Sequence, residues 1–332
     1  MMGKSFQEKL DELNTDYINL KGQSFSHFFC PILFKDEDVI LCKAHIVNQA
    51  LPEAPQDWTV QRKDVDNFYG AYIESEFVTL QYRNQTHGDI ITDSQLSKSF
   101  KPQILVDETP VDFFVATGDI PEKFTPLQFD NNGIITDMGL KMSPEDFLAA
   151  KDKNWQLSIE KDIRVPALIS LIKAAHLTLF KMLGYKYAFS AGGHFVGRHI
   201  LGEFFLQNQG KTKKEILENA HPFFKEFGHM ARPLQSSETA FQGTISDNQI
   251  LLCQKEGDVA WACIVFVKTF QTVNAVLLPL LVEEESAPRF FNFLKNEKES
   301  IDVALMQFEQ GHFILKRATE IIWPKNGVLY PD

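Results

Sequence analysis

A chain of 332 residues with 44% hydrophobic content is long enough for one large domain or two ordinary ones, and apolar enough to build a core. Its formal net charge of −11 makes the whole-molecule field repel nucleic acid. A polyanion would need a local basic patch, a metal ion or a partner protein to hold it, which argues against a simple DNA-binding module.

In chain order, "SFQEKLDELNTDYINL" lacks the apolar core of a signal peptide and sets Phe6, Leu10, Leu13 and Tyr17 on one face of an amphipathic helix, within an N-terminal stretch 1–26. The expected compartment is the cytoplasm. The apolar runs "SHFFCPILF" and "VILCKAHIV" flank the acidic turn "KDED" and read as a hairpin with His45 near its exit. A proline-marked loop follows over 51–57. Asp66 is then the expected N-cap of a short helix carrying Phe68, Tyr72, Ile73 and Phe77. Residues 27–82 thus read hairpin, loop, helix.

The polar stretch 83–101 reads as a linker or surface loop. Strand-like "QILVD", "VDFFVAT" and "LQF" come next, with "NNG" as a turn, and Ser143 with Pro144 opens a helix. "RVPALISLIKAAHLTLFKMLGY" is apolar around most of its circumference, yet Lys173, His176 and Lys181 interrupt it, so it reads as a buried core helix and not as a membrane span. Thr212 and Glu215 have capping-box spacing, and Pro222 is expected to interrupt the helix they start. Strands return in "NQILLCQK", "DVAWACIVFVKTF", "TVNAVLLPLLV" and "HFILKRATEIIW". The fold class is α+β: a small N-terminal strand–strand–helix unit joined to a larger body over 83–332, with a helical middle (about 143–230) and C-terminal antiparallel strands (about 245–323).

The segment "AHIVNQAL", followed after a loop by "RKDVDNFYGAYIESEF", sets a strand-end histidine ahead of an asparagine on a helix. Over about sixty residues the chain resembles the HNH endonuclease family, in the branch whose pattern runs AHI(I/V)P..L, a loop, then C..CN..(F/Y)G...(E/D). "LIKAAHLTLF" is similar to a lysine-and-alanine-containing helix often attached to such domains. The resemblance implies metal-dependent cleavage of phosphodiester bonds in nucleic acid. Such cleavage needs a base to deprotonate water and a cation to stabilise charge on the phosphate and the departing oxygen. Histidine suits the first task because its ordinary pKa of roughly 6.5 leaves much of it neutral near pH 7.

By the same resemblance His45 is the general base and Asn67 a metal-binding helix position. Asp66 adds a carboxylate for Mg²⁺ or Mn²⁺, and Arg62 and Lys63 position the phosphate. Asn48 or Asp57 would fix the base, and Glu74 is a further candidate ligand. The chain departs from the family at the zinc clamp: Cys30 is followed by "PIL", and Gln61 and Asp64 stand where a later cysteine pair would be, so structural zinc is not expected. Ala44 stands where an acidic ligand often precedes the histidine. The implied partner is nucleic acid, DNA ahead of RNA, reached through a local patch and without a membrane; a protein partner or homo-oligomer stays open. The alternative is a catalytically inactive HNH-like interaction or regulatory protein.

Outside this unit, His194, His199 and Glu203 in "AGGHFVGRHILGEFF" could form a His/His/Glu site, although HExxH spacing is absent and "GGHFVG" lacks the GK[ST] of a phosphate loop. The ordinary reading of Glu74 and Glu76 is a solvated helix face. That of Phe68 and Tyr69 is core packing, and that of Cys253 and Cys263 is buried structural thiols.

Overall fold

The computed structural model describes residues 4–51, 54–78, 103–106, 109–111, 113–115, 138–140, 155–158, 164–233, 249–254, 260–269, 272–281, 286–295, 298–310 and 312–324. The chain is α+β with antiparallel sheets, in two units: Met1–Phe77 with Arg164–Asp332, and Val78–Ile163. The expected continuous body over 83–332 is therefore divided at 163, because the chain from Arg164 onward packs with the N-terminal residues.

The first helix, α1 (Phe6–Lys21), starts at a capping box in which the Ser5 hydroxyl accepts from the Glu8 N–H and the Glu8 carboxylate accepts from the Ser5 N–H. It buries Leu13 and Tyr17 and ends at Gly22, whose φ of 73° suits glycine. The next hairpin does not pair the two expected runs. Pro31 has no N–H for a ladder, and residues 31–33 turn so that the Phe34 N–H reaches the Cys30 carbonyl, leaving one bridge, Phe29 to Asp36. Strand β1 (Leu41–His45) pairs antiparallel with β2 (Trp58–Arg62) instead, Leu41 opposite Arg62 and His45 opposite Trp58. Helix α2 (Lys63–Tyr69) begins directly after β2 with Arg62 at its N-cap, so Asp66 lies inside the helix and does not cap it. It continues as a π-helical turn, Gly70–Glu74.

In the second unit β3 (Gln103–Val106) lies between β4 (Thr109–Val111) and β7 (Trp155–Ser158), while β5 (Phe113–Val115) pairs with β6 (Met138–Leu140). The linker over 83–101, "LQF", "NNG" and the Ser143–Pro144 helix start fall outside the described residues.

Helix α3 (Arg164–Ala188) is the core of the first unit: apart from Thr178, every residue from Val165 to Phe180 is buried, Lys173 and His176 included. It is long and apolar enough to cross a membrane, but most of it is covered by its own fold. The helix kinks at Gly184 (φ 58°), where a Cβ would overlap the Asp16 carboxylate that accepts the Tyr185 N–H. Helix α4 (Ala191–His194) runs into a π-helical stretch, Phe195–Gly202, and then α5 (Glu203–Gln207). Here a Cβ on Gly197 would stand 2.3 Å from the Pro31 carbonyl, so glycine permits the close approach. Thr212 and Glu215 form the expected capping box of α6 (Lys213–Phe224), and Pro222 lies inside the helix, three residues before it tightens into a 3₁₀ turn, Lys225–Met230.

The remaining strands, β8 (Ala231–Pro233), β9 (Gln249–Cys253), β10 (Ala262–Thr269), β11 (Thr272–Pro279), β12 (Lys298–Glu309) and β13 (His312–Pro324), form one antiparallel sheet ordered β13-β12-β9-β10-β11-β8. Helix α3 packs on β10 and β11, and α7 (Ser286–Lys295) on β11. Cys253 and Cys263 are buried in this sheet, as expected, and burial pushes the Cys263 thiol up to about 12.

Candidate functional site

A cavity of about 550 Å³ opens at the end of the first hairpin, lined by His45, Asn48, Gln49, Asp66, Asn67, Gly70, Ala71 and Glu74. Three pieces of chain build it. Strand β1 ends on half-buried His45, the loop over 46–57 supplies the two amides, and α2 with its π-turn supplies the carboxylates. The loop is braced from within: Gln49 Nε2 donates to the Val47 and Pro55 carbonyls at 3.1 Å each, and Asn48 Oδ1 accepts from the Ala50 N–H at 2.8 Å. Glu74, seven residues after Asn67, shares its helical face, and the helix widens into a π-turn over Gly70–Glu74; such turns interrupt α-helices often at functional sites.

Two carboxylates share an ammonium that comes from the core. Lys173 of α3, with no exposed surface, donates to Glu74 Oε1 at 2.5 Å and to Asp66 Oδ1 at 3.3 Å. Neutral donors meet the other oxygens, Asn48 Nδ2 on Glu74 Oε2 at 3.2 Å and the Cys42 thiol 3.7 Å from Asp66 Oδ2. Burial alone would drive Lys173 down, but Glu74 and Asp66 outweigh it and hold the ammonium above the usual lysine range. Burial, followed by the Asp66 charge, pushes Cys42 up to about 12, so it stays a thiol. Two carboxylates against one ammonium leave the site one charge negative.

The expected site residues separate into two groups. His45, Asn48, Asp66, Asn67 and Glu74 meet at the cavity. Arg62 does not: its guanidinium is held by Glu37 at 2.5 Å and by Asp64 at 2.8 and 3.1 Å, with 7% of the side chain exposed. Asp57 pairs with Lys181 at 2.6 Å and does not line the cavity, whereas Asn48 does. Lys63 is exposed at the start of α2 and makes no side-chain ion pair among the described residues. The His45 ring likewise takes no hydrogen bond from the described residues. Glu74 and Glu76 are not a solvated face, since both are buried and paired, Glu74 with Lys173 and Glu76 with Lys213 at 2.7 Å. Phe68 and Tyr69 are core residues, and the Tyr69 hydroxyl donates to the Leu201 carbonyl at 2.7 Å.

Cys30 and Gln61 meet in the interior. The thiol donates to Gln61 Oε1 at 3.1 Å, and the same oxygen accepts the Arg62 N–H at 2.8 Å. The rival residues also converge: His199 Nδ1 is 3.1 Å from Glu203 Oε1, and the His194 ring lies 5.1 Å from the His199 ring and 4.6 Å from that of Phe34. Among the described residues, no three His, Cys, Asp or Glu side chains gather closely enough to cage an ion, here or at the cavity.

Sequence reasoning missed Lys173 as a site residue. The signal was a lysine set in an otherwise apolar helix, which needs an acidic partner wherever it is buried. No family model, curated protein or solved structure matches the chain.

Proposed function

We propose that the cavity is the active site of an HNH-like, metal-dependent nuclease that hydrolyses phosphodiester bonds. The observation that supports this reading best is the meeting of His45, Asp66, Asn67 and Glu74 around one solvent-reached cavity, in a strand–loop–strand–helix order with the histidine at the end of the first strand. The donors fit a hard divalent ion: two carboxylates with the amide oxygen of Asn67 are the oxygen-rich set that Mg²⁺ or Mn²⁺ accepts. Asp66 and Asn67 would hold that ion, which would supply positive charge against the phosphate in a site otherwise one charge negative.

His45 accepts the proton of the attacking water, its ring being open to the cavity and unclaimed by the described residues. Lys63 takes the phosphate-positioning role in place of Arg62, which Glu37 and Asp64 occupy. The Cys30–Gln61 hydrogen bond and the Arg62 ion pairs tie residues 30–37 to the end of β2 where the family uses zinc. The proposed partner is nucleic acid, met through this local patch.

Plasmid cleavage with Mn²⁺ or Mg²⁺ tests the assignment. His45→Ala is expected to lower the rate at least ~10²-fold, the usual worth of a positioned general base, and Asn67→Ala at least about tenfold. Rates unchanged in both variants would end it. One observation favours a second reading, a catalytically silent protein that keeps the shape for binding a partner: Lys173 already pairs with both carboxylates. That reading predicts no cleavage by the wild-type chain under any divalent ion.

A further inference from the structure

We propose that Lys173 is the resident cation of this site, standing where a divalent ion would otherwise draw on Asp66 and Glu74, so that metal and ammonium compete for the same two carboxylates. The proposal rests on the reading of the cavity as a metal site. Its ground is the placement of Lys173 itself. The side chain starts from the core helix α3, where Ile169, Ile172, Ala174 and Leu177 are buried around it, and has no exposed surface. An ammonium there is costly to desolvate, and a buried ion pair is weak evidence for stability, since a well-packed apolar side chain serves the core as well or better. The lysine is instead spent on two oxygens that belong to the cavity, at 2.5 and 3.3 Å.

The neighbours point the same way. Asn48 Nδ2 and the Cys42 thiol meet the second oxygen of each carboxylate, so every oxygen of the pair has one partner without a metal. Neither neighbour carries a positive charge. Lys173 is therefore the cation on which the pair depends, and its removal would leave Asp66 and Glu74 together around a gap of the right charge for a divalent ion.

The test is Mn²⁺ titration of the full chain, followed by calorimetry and by the shift in thermal midpoint, for wild type, Lys173→Met and Lys173→Gln. Both variants are expected to bind Mn²⁺ at least about tenfold more tightly than wild type and to gain a larger midpoint shift from it, as ligand-linked stabilisation requires. Adding Asp66→Asn and Glu74→Gln to Lys173→Met is expected to abolish the gain. A variant recovered folded only with Mn²⁺ present is the same result in stronger form. Affinity no tighter than wild type, a gain that survives loss of both carboxylates, or variants that stay unfolded with Mn²⁺ would overturn the proposal. A wild type that neither binds Mn²⁺ nor cleaves, beside a Lys173→Met chain that binds it tightly, would end the nuclease reading and leave the resident cation standing.

Discussion

His176 shows how much a single buried side chain can make the fold depend on pH. Its Nε2 is 3.2 Å from the Pro31 carbonyl, which can only accept, and its Nδ1 is 3.0 Å from the Tyr187 hydroxyl. The neutral ring with the proton on Nε2 satisfies both, Tyr187 donating to Nδ1. Burial holds the imidazole down at about 4, against the smaller opposing pull of the Pro31 hydrogen bond. The folded value lies below the ordinary one near 6.5, so the contribution is fully present above about pH 6.5 and is lost as pH falls toward 4, to a limit of about 3 kcal/mol. Urea unfolding at pH 7 and pH 4.5 checks this: wild type should lose roughly 2–3 kcal/mol more than His176→Gln over that interval. Equal losses would remove His176 as the cause. Nothing in the sequence separates this histidine from any other in an apolar helix; Tyr187 reaches it from beyond the kink at Gly184, and Pro31 meets it only once α3 is packed.

At the scale of elements, the sequence carried the helices better than the strand pairing. Helix α3 was legible because it is apolar nearly all round, α1 because its apolar residues fall on one face, and α6 because its capping box is local. The hairpin was not, because "SHFFCPILF" is as apolar as a strand, and only the missing N–H of Pro31 and the turn after it disqualify it. His45 and Asn67 were paired through the family resemblance, and both line the cavity. Glu74 was legible only as a further candidate ligand, on the helical face of Asn67 by spacing, because its burial against Lys173 depends on a helix 99 residues away. The glycines of the second π-helical stretch have a similar structural cause. Gly197→Ala would drive a methyl into the Pro31 carbonyl, and a loss of about 1–3 kcal/mol in urea unfolding is expected. A neutral result would mean that Pro31 and Gly197 can move apart at no cost.

For the whole molecule, the site belongs to a unit assembled from two distant stretches of chain, Met1–Phe77 and Arg164–Asp332. The strand–loop–strand–helix segment depends on the second stretch for its interior. Lys173 closes the carboxylate pair, Leu201 accepts the Tyr69 hydroxyl, and the Tyr185 hydroxyl donates to the Phe29 carbonyl. A peptide of residues 27–82 is therefore expected to give a coil-like circular dichroism spectrum, whereas an autonomous small domain would give a folded one and a cooperative melt. Sequence patterning alone could not reveal this dependence, since the partners lie about a hundred residues away or more.

Under the proposed function, one cavity serves both the base and a divalent ion. Anomalous diffraction from crystals soaked in Mn²⁺ locates that ion directly. The account predicts a peak inside the cavity at about 2.1 Å from an oxygen of Asp66 or Asn67, with the His45 ring facing the same space. An empty cavity at saturating Mn²⁺, or a peak confined to His194, His199 and Glu203, would contradict it.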